Sequence, residues 1–472
     1  MNILIVIVAV GVLAAMLAPR RPARWQRDPL PVGIKARPRR ILMTGATGFI
    51  GQHLCRRFIA AGDHPLVLTR NRARAVDLFG PHVTVCNSLA EIADDSRIDA
   101  IVNLAGESIF SRPWTASRRR LLIESRVSVT QSLVDLIVRL QHKPAVLVSA
   151  SAVGYYGVRG DEELCEADRG RTLFQSQLCQ VWELAAQRAK DHGVRVCRLR
   201  LGVVLGRDGG ALPQQMLAAR ARIATPLGTA QQWVSWIHID DVLRLIDHCI
   251  DHDDVDGALN ATAPAPVRQQ EFAQTLAAQF GRALTLRAPE QLLRRILGER
   301  AQLLLDGQRV LPVRTLASGF TFRYPNLDAA LADLCVSSPE EMPRDVLYDS
   351  LCPICDSEMN TYCRAATRAG RNWQFDDVAT RPELISRYRL DLPTARKRVY
   401  VLADSGRMLS GMEALCAVWS GLPYWRGLAW FIRLPAVKPS AEWFYDVILA
   451  PLIWRWNQRR RAATDGAASG LR

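Results

Sequence analysis

The chain opens on a stretch with no polar periodicity. Residues 2–18, NILIVIVAVGVLAAMLA, contain one polar side chain, Asn2, and no charge. As a helix rising about 1.5 Å per residue, such a run spans about 26 Å, the short end of what crosses a bilayer. Eight basic side chains follow it (Arg20, Arg21, Arg24, Arg27, Lys35, Arg37, Arg39, Arg40) against a single Asp28. A cleaved leader carries its positive charge before the apolar run, and here the charge comes after. The pattern predicts a transmembrane anchor over 1–19, a basic juxtamembrane linker over 20–39, and, by the positive-inside rule, a single-pass membrane protein with everything downstream facing the cytoplasm. A signal peptide or a peripheral amphipathic segment is the alternative.

From residue 40 the pattern changes to short, wholly apolar runs alternating with helical periods. Strands are expected at 39–43, 65–69, 100–106, 145–149 and 194–200, with a helix after the first and a long one over 115–140. Continuous apolar runs rather than alternating ones mark strands covered on both faces, as in a parallel sheet. The expectation is an α/β, doubly wound parallel sheet.

Composition adds limits. With 472 residues, 49% hydrophobic and 23% charged, the chain is long enough for about three domains and excludes a disordered or collagenous class. Eleven cysteines spread this thinly exclude a small disulfide-stapled scaffold. The net charge of +15 is concentrated in the 20–40 stretch, and no basic face with a recognised module appears, so no nucleic-acid partner is expected.

The first strand runs into Thr44-Gly45-Ala46-Thr47-Gly48-Phe49-Ile50-Gly51. Strand, glycine loop, helix and strand in that order form the setting a phosphate cradle requires. Gly45 permits the tight turn, Gly48 lets the backbone approach a pyrophosphate, and Gly51 lets helix and strand pack closely. The helix N-terminus then offers free N–H groups to the phosphates. About 20 residues on, where an acidic residue would select NAD, stands Arg70, which suits a 2′-phosphate and predicts NADP. Leu104 and Ala105 end the strand at 100–106 in small residues beside which a cofactor can lie.

The loop TGATGFIG, followed by VNLAGESI, SASAVGYYG, WELAA, RLRLGVVLGRDGGAL, WIHIDDV, LLLDGQRVLP and GFTFRYPNLDAAL, resembles the atypical extended short-chain dehydrogenase/reductases known as epimerase family proteins, over about residues 40–335. The resemblance implies a Rossmann-like NADP-binding domain with a small C-terminal extension over 283–335. It also implies cofactor contacts at Gly45, Thr47, Gly48, Phe49, Ile50, Gly51, Arg126 and Arg200, and candidate catalytic roles for Ser151 and Tyr156. The Tyr-x-x-x-Lys pair of the wider superfamily is missing: its positions hold Gln175 and Cys179. Without it the substrate stays open, a carbonyl or hydroxyl compound with nucleotide sugars among the candidates. A non-catalytic NADP-binding sensor or scaffold is the alternative.

After a polar linker at 336–344 comes DVLYDSLCPIC, residues 345–355. A strand ending in Cys352-Pro353-Ile354-Cys355 at a helix start is a redox arrangement. The positive helix end favours the Cys352 thiolate, and Cys355, three residues on and deeper in the first turn, stands ready to resolve a mixed disulfide with a protein partner. The segment 345–460 resembles the thiol-disulfide oxidoreductases named for their Asp, Cys, Cys motif, here Asp349, Cys352 and Cys355, and this implies a thioredoxin-like α/β fold. A zinc site and purely structural thiols are the alternatives; for zinc, Cys363 and Cys416 alone would remain to complete a four-cysteine set, and no metal is expected. Six tryptophans fall between Trp419 and Trp456 beside arginines, suiting either a headgroup interface or a small core, and 461–472 reads as a structureless tail.

Overall fold

The computed structural model divides into two compact units, Met1–Val336 and Ser337–Arg472. It describes residues 37–220, 222–281, 283–335, 343–371, 373–381, 383, 398–403, 408–422, 425–432 and 437–469.

Among these residues no helix is long and apolar enough to cross a membrane. This corrects the expected transmembrane helix and the single-pass, cytoplasm-facing placement built on it. The helix over 239–251, for example, buries Val242, Leu245, Ile246 and Cys249 and carries Asp240, Arg244 and Asp247 between them, an amphipathic pattern rather than that of a span. The run 1–19, on which the expectation rested, lies outside the described residues, as does most of the 20–39 linker.

In the first unit, β1 (Arg40–Thr44), β2 (His64–Leu68), β3 (Thr84–Cys86), β4 (Ala100–Asn103), β5 (Val146–Ala152), β6 (Arg195–Leu201) and β7 (Gly257–Ala261) form one sheet in the order β7-β6-β5-β4-β1-β2-β3. Every pairing is parallel. Successive residues serve opposite faces, which is why the strands read as unbroken apolar runs. Ile41, Met43 and Val102 pack with Leu54 and Phe58 of α1 (Phe49–Ala60) and Val242 and Ile246 of α5 (Ile239–Asp251). Leu42, Ile101 and Leu147 pack instead with Leu133 and Ile137 of α3 (Ala116–Arg139). Between them in the chain come α2 (Arg72–Phe79) and α4 (Phe174–Gln187). The strand order reverses between β1 and β4, and a doubly wound sheet opens its ligand crevice beyond the carboxyl ends of the strands at that point.

The register aligns polar residues in two rows. Thr44, Asn103 and Ser149 lie side by side on β1, β4 and β5, and Ser151, Arg200 and Asn260 on β5, β6 and β7.

The second unit has a four-stranded mixed sheet of β8 (Pro343–Tyr348), β9 (Gln374–Asp377), β10 (Tyr400–Ala403) and β11 (Met408–Ser410) in the order β9-β8-β10-β11. Strand β8 is parallel to β9 and antiparallel to β10, and leads directly to α6 (Pro353–Arg368). Its core includes Val346, Met359, Tyr362, Val401, Leu415 and Trp419. The tryptophans divide: Trp419, on α7 (Met412–Gly421), stacks on Trp425 at 6.0 Å, whereas Trp443 and Trp456 are exposed. The last helix, α8, runs Ala450–Ser469, so 461–469 is helical where a structureless tail was expected.

Candidate functional site

At the crevice, Gly45 has φ +69°, and a Cβ there would stand 2.6 Å from the Leu104 carbonyl. At Gly51 it would fall 2.2 Å from the Gly45 oxygen, so loop and helix touch backbone to backbone. Gly48 caps α1 with no side chain on the helix end and no acidic residue in the first turn. That end is therefore left to its own N–H groups and positive dipole, the condition a phosphate requires. The Phe49 ring is used elsewhere: it fills the space over Gly206, Gly209 and Gly210, where any Cβ would lie 2.2–3.2 Å from it. Only the backbone of Phe49, and of Ile50 whose side chain joins the core, remains for a ligand. Thr47 offers its carbonyl to Gln52 Nε2 at 2.8 Å.

Arg70 is exposed just past β2. Sequence reasoning passed over Arg74, whose guanidinium donates to the Thr47 carbonyl at 3.3 Å and so stands against the glycine loop. The alternation Arg70, Arg72, Arg74 was the available signal. Leu104 and Ala105 are held to β1 through the Thr44 carbonyl, at 3.3 Å, and hydroxyl, at 3.2 Å. Thr44 Oγ1 donates to Asn103 Oδ1 at 2.7 Å, and Asn103 Nδ2 donates to Thr130 Oγ1 at 2.8 Å. Arg126 donates Nη2 to the Glu107 carbonyl at 2.9 Å and lies 5.2 Å from the centre of the Trp182 ring, and burial lowers its pKa. It braces the strand-end loop from behind.

Ser151, Tyr156 and Arg200 come together as one buried network. Arg200 meets Glu183 with Nε–Oε1 at 2.9 Å and Nη2–Oε2 at 3.0 Å, and Arg198 adds a third contact at 3.2 Å. Ser151 Oγ donates to Glu183 Oε1 at 2.7 Å. Arg200 Nη1 donates to the Tyr156 hydroxyl at 2.9 Å, which in turn donates to Asn260 Oδ1 at 2.6 Å. Tyr156 is 0% exposed, and burial raises its pKa despite the neighbouring cation. Arg200 also lies 3.5 Å from the centre of the Tyr155 ring, which is half-buried and nearer solvent. At the positions of the missing pair, Gln175 is buried with Oε1 accepting no hydrogen bond, and burial pushes the Cys179 thiol up to about 11. His238 caps α5 through Nδ1, accepting from the Asp240 N–H at 3.0 Å, and stacks on Tyr324 at 3.9 Å.

In the second unit Cys352 is the N-cap of α6 and Pro353 its first residue. The Cys355 N–H donates to Cys352 Sγ at 3.4 Å. The hydrogen bond from the Cys355 thiol, with the N–H groups of Cys355 and Ile354, outweighs burial and the charge of Asp349, and brings the Cys352 pKa down to about 6. The same hydrogen bond, with burial, holds the Cys355 thiol protonated. Asp349 is buried, its carboxylate accepting from the Leu351 N–H at 3.2 Å and its carbonyl from the Cys352 N–H at 3.1 Å, so it shapes the turn that presents the sulfur. One expectation is reversed: Cys352 is 3% exposed, whereas Cys355 is only half-buried. The cause is a cavity cover built from the end of the unit, in which Tyr445, Ile453, Trp454 and Asn457 stand around the dithiol. Among the described residues no group of three or more His, Cys, Asp or Glu is placed to hold a metal ion.

The sheet order and glycine loop define a dinucleotide-binding α/β protein of the short-chain dehydrogenase kind, continued by a dithiol unit. The sequence pattern of the NAD dependent epimerase/dehydratase family matches residues 41–261, a domain of unknown function (DUF1731) matches 288–334, and the DCC1-like thiol-disulfide oxidoreductase pattern matches 346–456. An epimerase family protein of Staphylococcus epidermidis is 39% identical over 304 residues, covering 63% of this chain and 99% of its own. The chain belongs to this epimerase family, with a DCC1-like domain joined to it. The human epimerase family protein SDR39U1 (isoform 2), solved with NADPH, is 34% identical with a TM-score of 0.58, covering 62% of this chain and 98% of the human one. A nucleoside-diphosphate sugar epimerase from Corynebacterium glutamicum is 29% identical with a TM-score of 0.52, covering 63% of this chain and 58% of its own.

Proposed function

We propose that the chain is an NADP(H)-binding epimerase-family protein whose second unit carries out dithiol–disulfide exchange, and that the dithiol is the centre of its covalent chemistry. The observation that carries this is the division of labour at α6: a thiolate at Cys352 on the helix end and a protonated thiol at Cys355 one turn in. One thiol attacks and the other resolves.

In the first unit, the backbone of Gly45, Thr47, Gly48, Phe49, Ile50 and Gly51 would hold the pyrophosphate. Leu104 and Ala105 would flank the ring system, and Arg70 with Arg74 would face the 2′-phosphate. The human relative solved with NADPH supports that assignment. When bound, the nicotinamide supplies or accepts a hydride. Ser151, Tyr156, Arg126 and Arg200 are positioning residues, since their polar atoms are committed to Glu183, Asn260 and backbone carbonyls. A second reading, supported by the likeness to a nucleoside-diphosphate sugar epimerase, has this unit act on a nucleotide sugar. Tyr155, beside Arg200 and nearer solvent, is then the group to test as acid.

The test is a titration of the full chain in glutathione redox buffers, read by intact mass. The expected result is a loss of two hydrogens that Cys352→Ser and Cys355→Ser each abolish. Failure to form the disulfide at any ratio, or stoichiometric zinc protecting both thiols, would overturn the dithiol reading.

A further inference from the structure

The cavity beside the dithiol has a volume of about 40 Å³. At about 10–15 Å³ of such space per water, it holds two to four water-sized molecules. Cys352 and Cys355 both line it, together with Asp349, Arg398, Tyr445, Trp454 and Asn457. Asn457 is 4% exposed, so its amide is brought inside the unit among aromatic and aliphatic neighbours. Arg398 pairs with Asp446 at 3.2 Å on its outer side. A nucleophilic sulfur that is 3% exposed receives a protein disulfide only when the cavity residues move aside, because the attacking, central and leaving sulfurs must lie in line where only a few water volumes exist. A substrate of two oxygen atoms fits.

We infer that the enclosed face of Cys352 is a hydroperoxide site and the half-buried face of Cys355 is the side on which thiols exchange. The inference rests on the dithiol reading and names the small oxidant of that same site. The Cys352 thiolate sulfur attacks one oxygen of HO–OH, an S–O bond forms and the O–O bond breaks. The second oxygen leaves as hydroxide, is protonated by the buffer, which returns the proton Cys352 gave up on ionising, and departs as water. Sulfur has lost two electrons and the peroxide has gained them. The Cys355 sulfur then attacks the Cys352 sulfenic sulfur, the S–O bond breaks, and the hydroxide leaves as water with the Cys355 thiol proton. A thiol reductant from solution attacks the resulting disulfide at Cys355, the sulfur within reach, and releases Cys352. Release in that direction is favoured because the thiol of lower pKa is the better leaving group. A second equivalent of thiol completes the return to the dithiol. Arg398 is the cation among the lining residues and would donate to the departing oxygen; Asp349, Tyr348, Tyr445 and Asn457 are the other polar groups there.

The experiment uses the reduced full chain. With one equivalent of hydrogen peroxide, the wild type should form the 352–355 disulfide, and Cys355→Ser should instead gain one oxygen at residue 352, the sulfenic acid, read by intact mass and peptide mapping. Cys352 should be oxidised at least about tenfold faster than the half-buried thiol Cys363 of the same chain. tert-Butyl hydroperoxide, too bulky for the cavity, should be at least about tenfold slower than hydrogen peroxide, and Trp454→Ala should remove most of that difference. Oxidised glutathione is the parallel arm. If it forms the disulfide while peroxide oxidises Cys352 no faster than Cys363, the peroxide site is wrong and the dithiol reading stands. If neither oxidant forms the disulfide, both fail.

Discussion

Arg200 and Glu183 face each other as a two-pronged ion pair, 2.9 and 3.0 Å, with both side chains almost wholly out of solvent. Strand β6 supplies the cation and helix α4 the anion, so the pair ties the helix to the sheet beside the crevice. Burial alone would lower the arginine pKa, and the hydrogen bonds and charge of Glu183 reverse that. Breaking a buried pair from one side leaves the other charge uncompensated and costs about 3–5 kcal/mol. Glu183→Gln should therefore destabilise the first unit by about 3 kcal/mol in urea unfolding, while NADPH affinity measured on the folded chain, without urea, changes less than about threefold. Unchanged stability with lost NADPH binding would reassign Arg200 to the ligand.

Cofactor choice is the second expectation. With Arg70 exposed past β2 and Arg74 against the glycine loop, NADPH should bind at least about tenfold tighter than NADH, roughly 1.4 kcal/mol. Arg70→Asp combined with Arg74→Ala should erase the preference. Calorimetry giving equal affinities for the parent chain would refute it.

The thiols carry a pH dependence. A thiol whose pKa is about 6 in the fold, below its ordinary value, is thiolate across neutral pH. Alkylation of Cys352 by iodoacetamide follows its thiolate, and Cys355→Ala removes one of the hydrogen bonds that lower the pKa, so its midpoint should move above that of the wild type. In the wild type the rate should rise through a midpoint near 6 and level off before the ordinary thiol range. The sign for stability follows: the contribution of Cys352 to the reduced fold is full above the unfolded thiol pKa and is lost as pH falls through about 6. A wild-type midpoint above 8 would remove the case for an activated thiolate.

Ala230 has φ +63° and is fully buried. A left-handed residue with a Cβ costs about 1–2 kcal/mol, and glycine returns that less about 0.4–1 kcal/mol of unfolded-chain entropy. Ala230→Gly should stabilise the first unit by about 0.5–1 kcal/mol, a rise of about 1–4 °C in Tm. A drop in Tm would mean that the methyl's packing outweighs the strain.

Local rules carried the reading where the cause was local. Gly45 and Gly51 were legible because a positive φ and a backbone contact are demands a glycine states by itself, and Cys352-Pro353 because a cap and a first-turn proline are neighbours in sequence. The Ser151–Arg200–Asn260 row was not, because its members meet across three parallel strands whose register no single segment encodes. The resting place of the Phe49 ring was hidden for the same reason: the glycines that receive it lie at 206–210, far along the chain. The exposure of the two active-site thiols depends on residues 445–457, about a hundred positions after the motif, and was read in the wrong order.

Glu166 gives the 283–335 extension a different standing from an appendage. One of its carboxylate oxygens accepts from the N–H groups of Asn260 on β7, at 3.0 Å, and Thr315, at 3.3 Å, and the other accepts from the Arg314 N–H at 3.0 Å. Asn260 Nδ2 donates to the Leu311 carbonyl at 2.9 Å, and residues 309–310 pair with 163–164. The sheet's edge strand thus has its polar groups satisfied by residues that arrive last in the unit. A nascent chain ending before 309 holds a carboxylate left with the Asn260 N–H alone, and an open edge. The first unit reaches its folded state only when its final 30 or so residues have emerged, however complete its dinucleotide fold is by then.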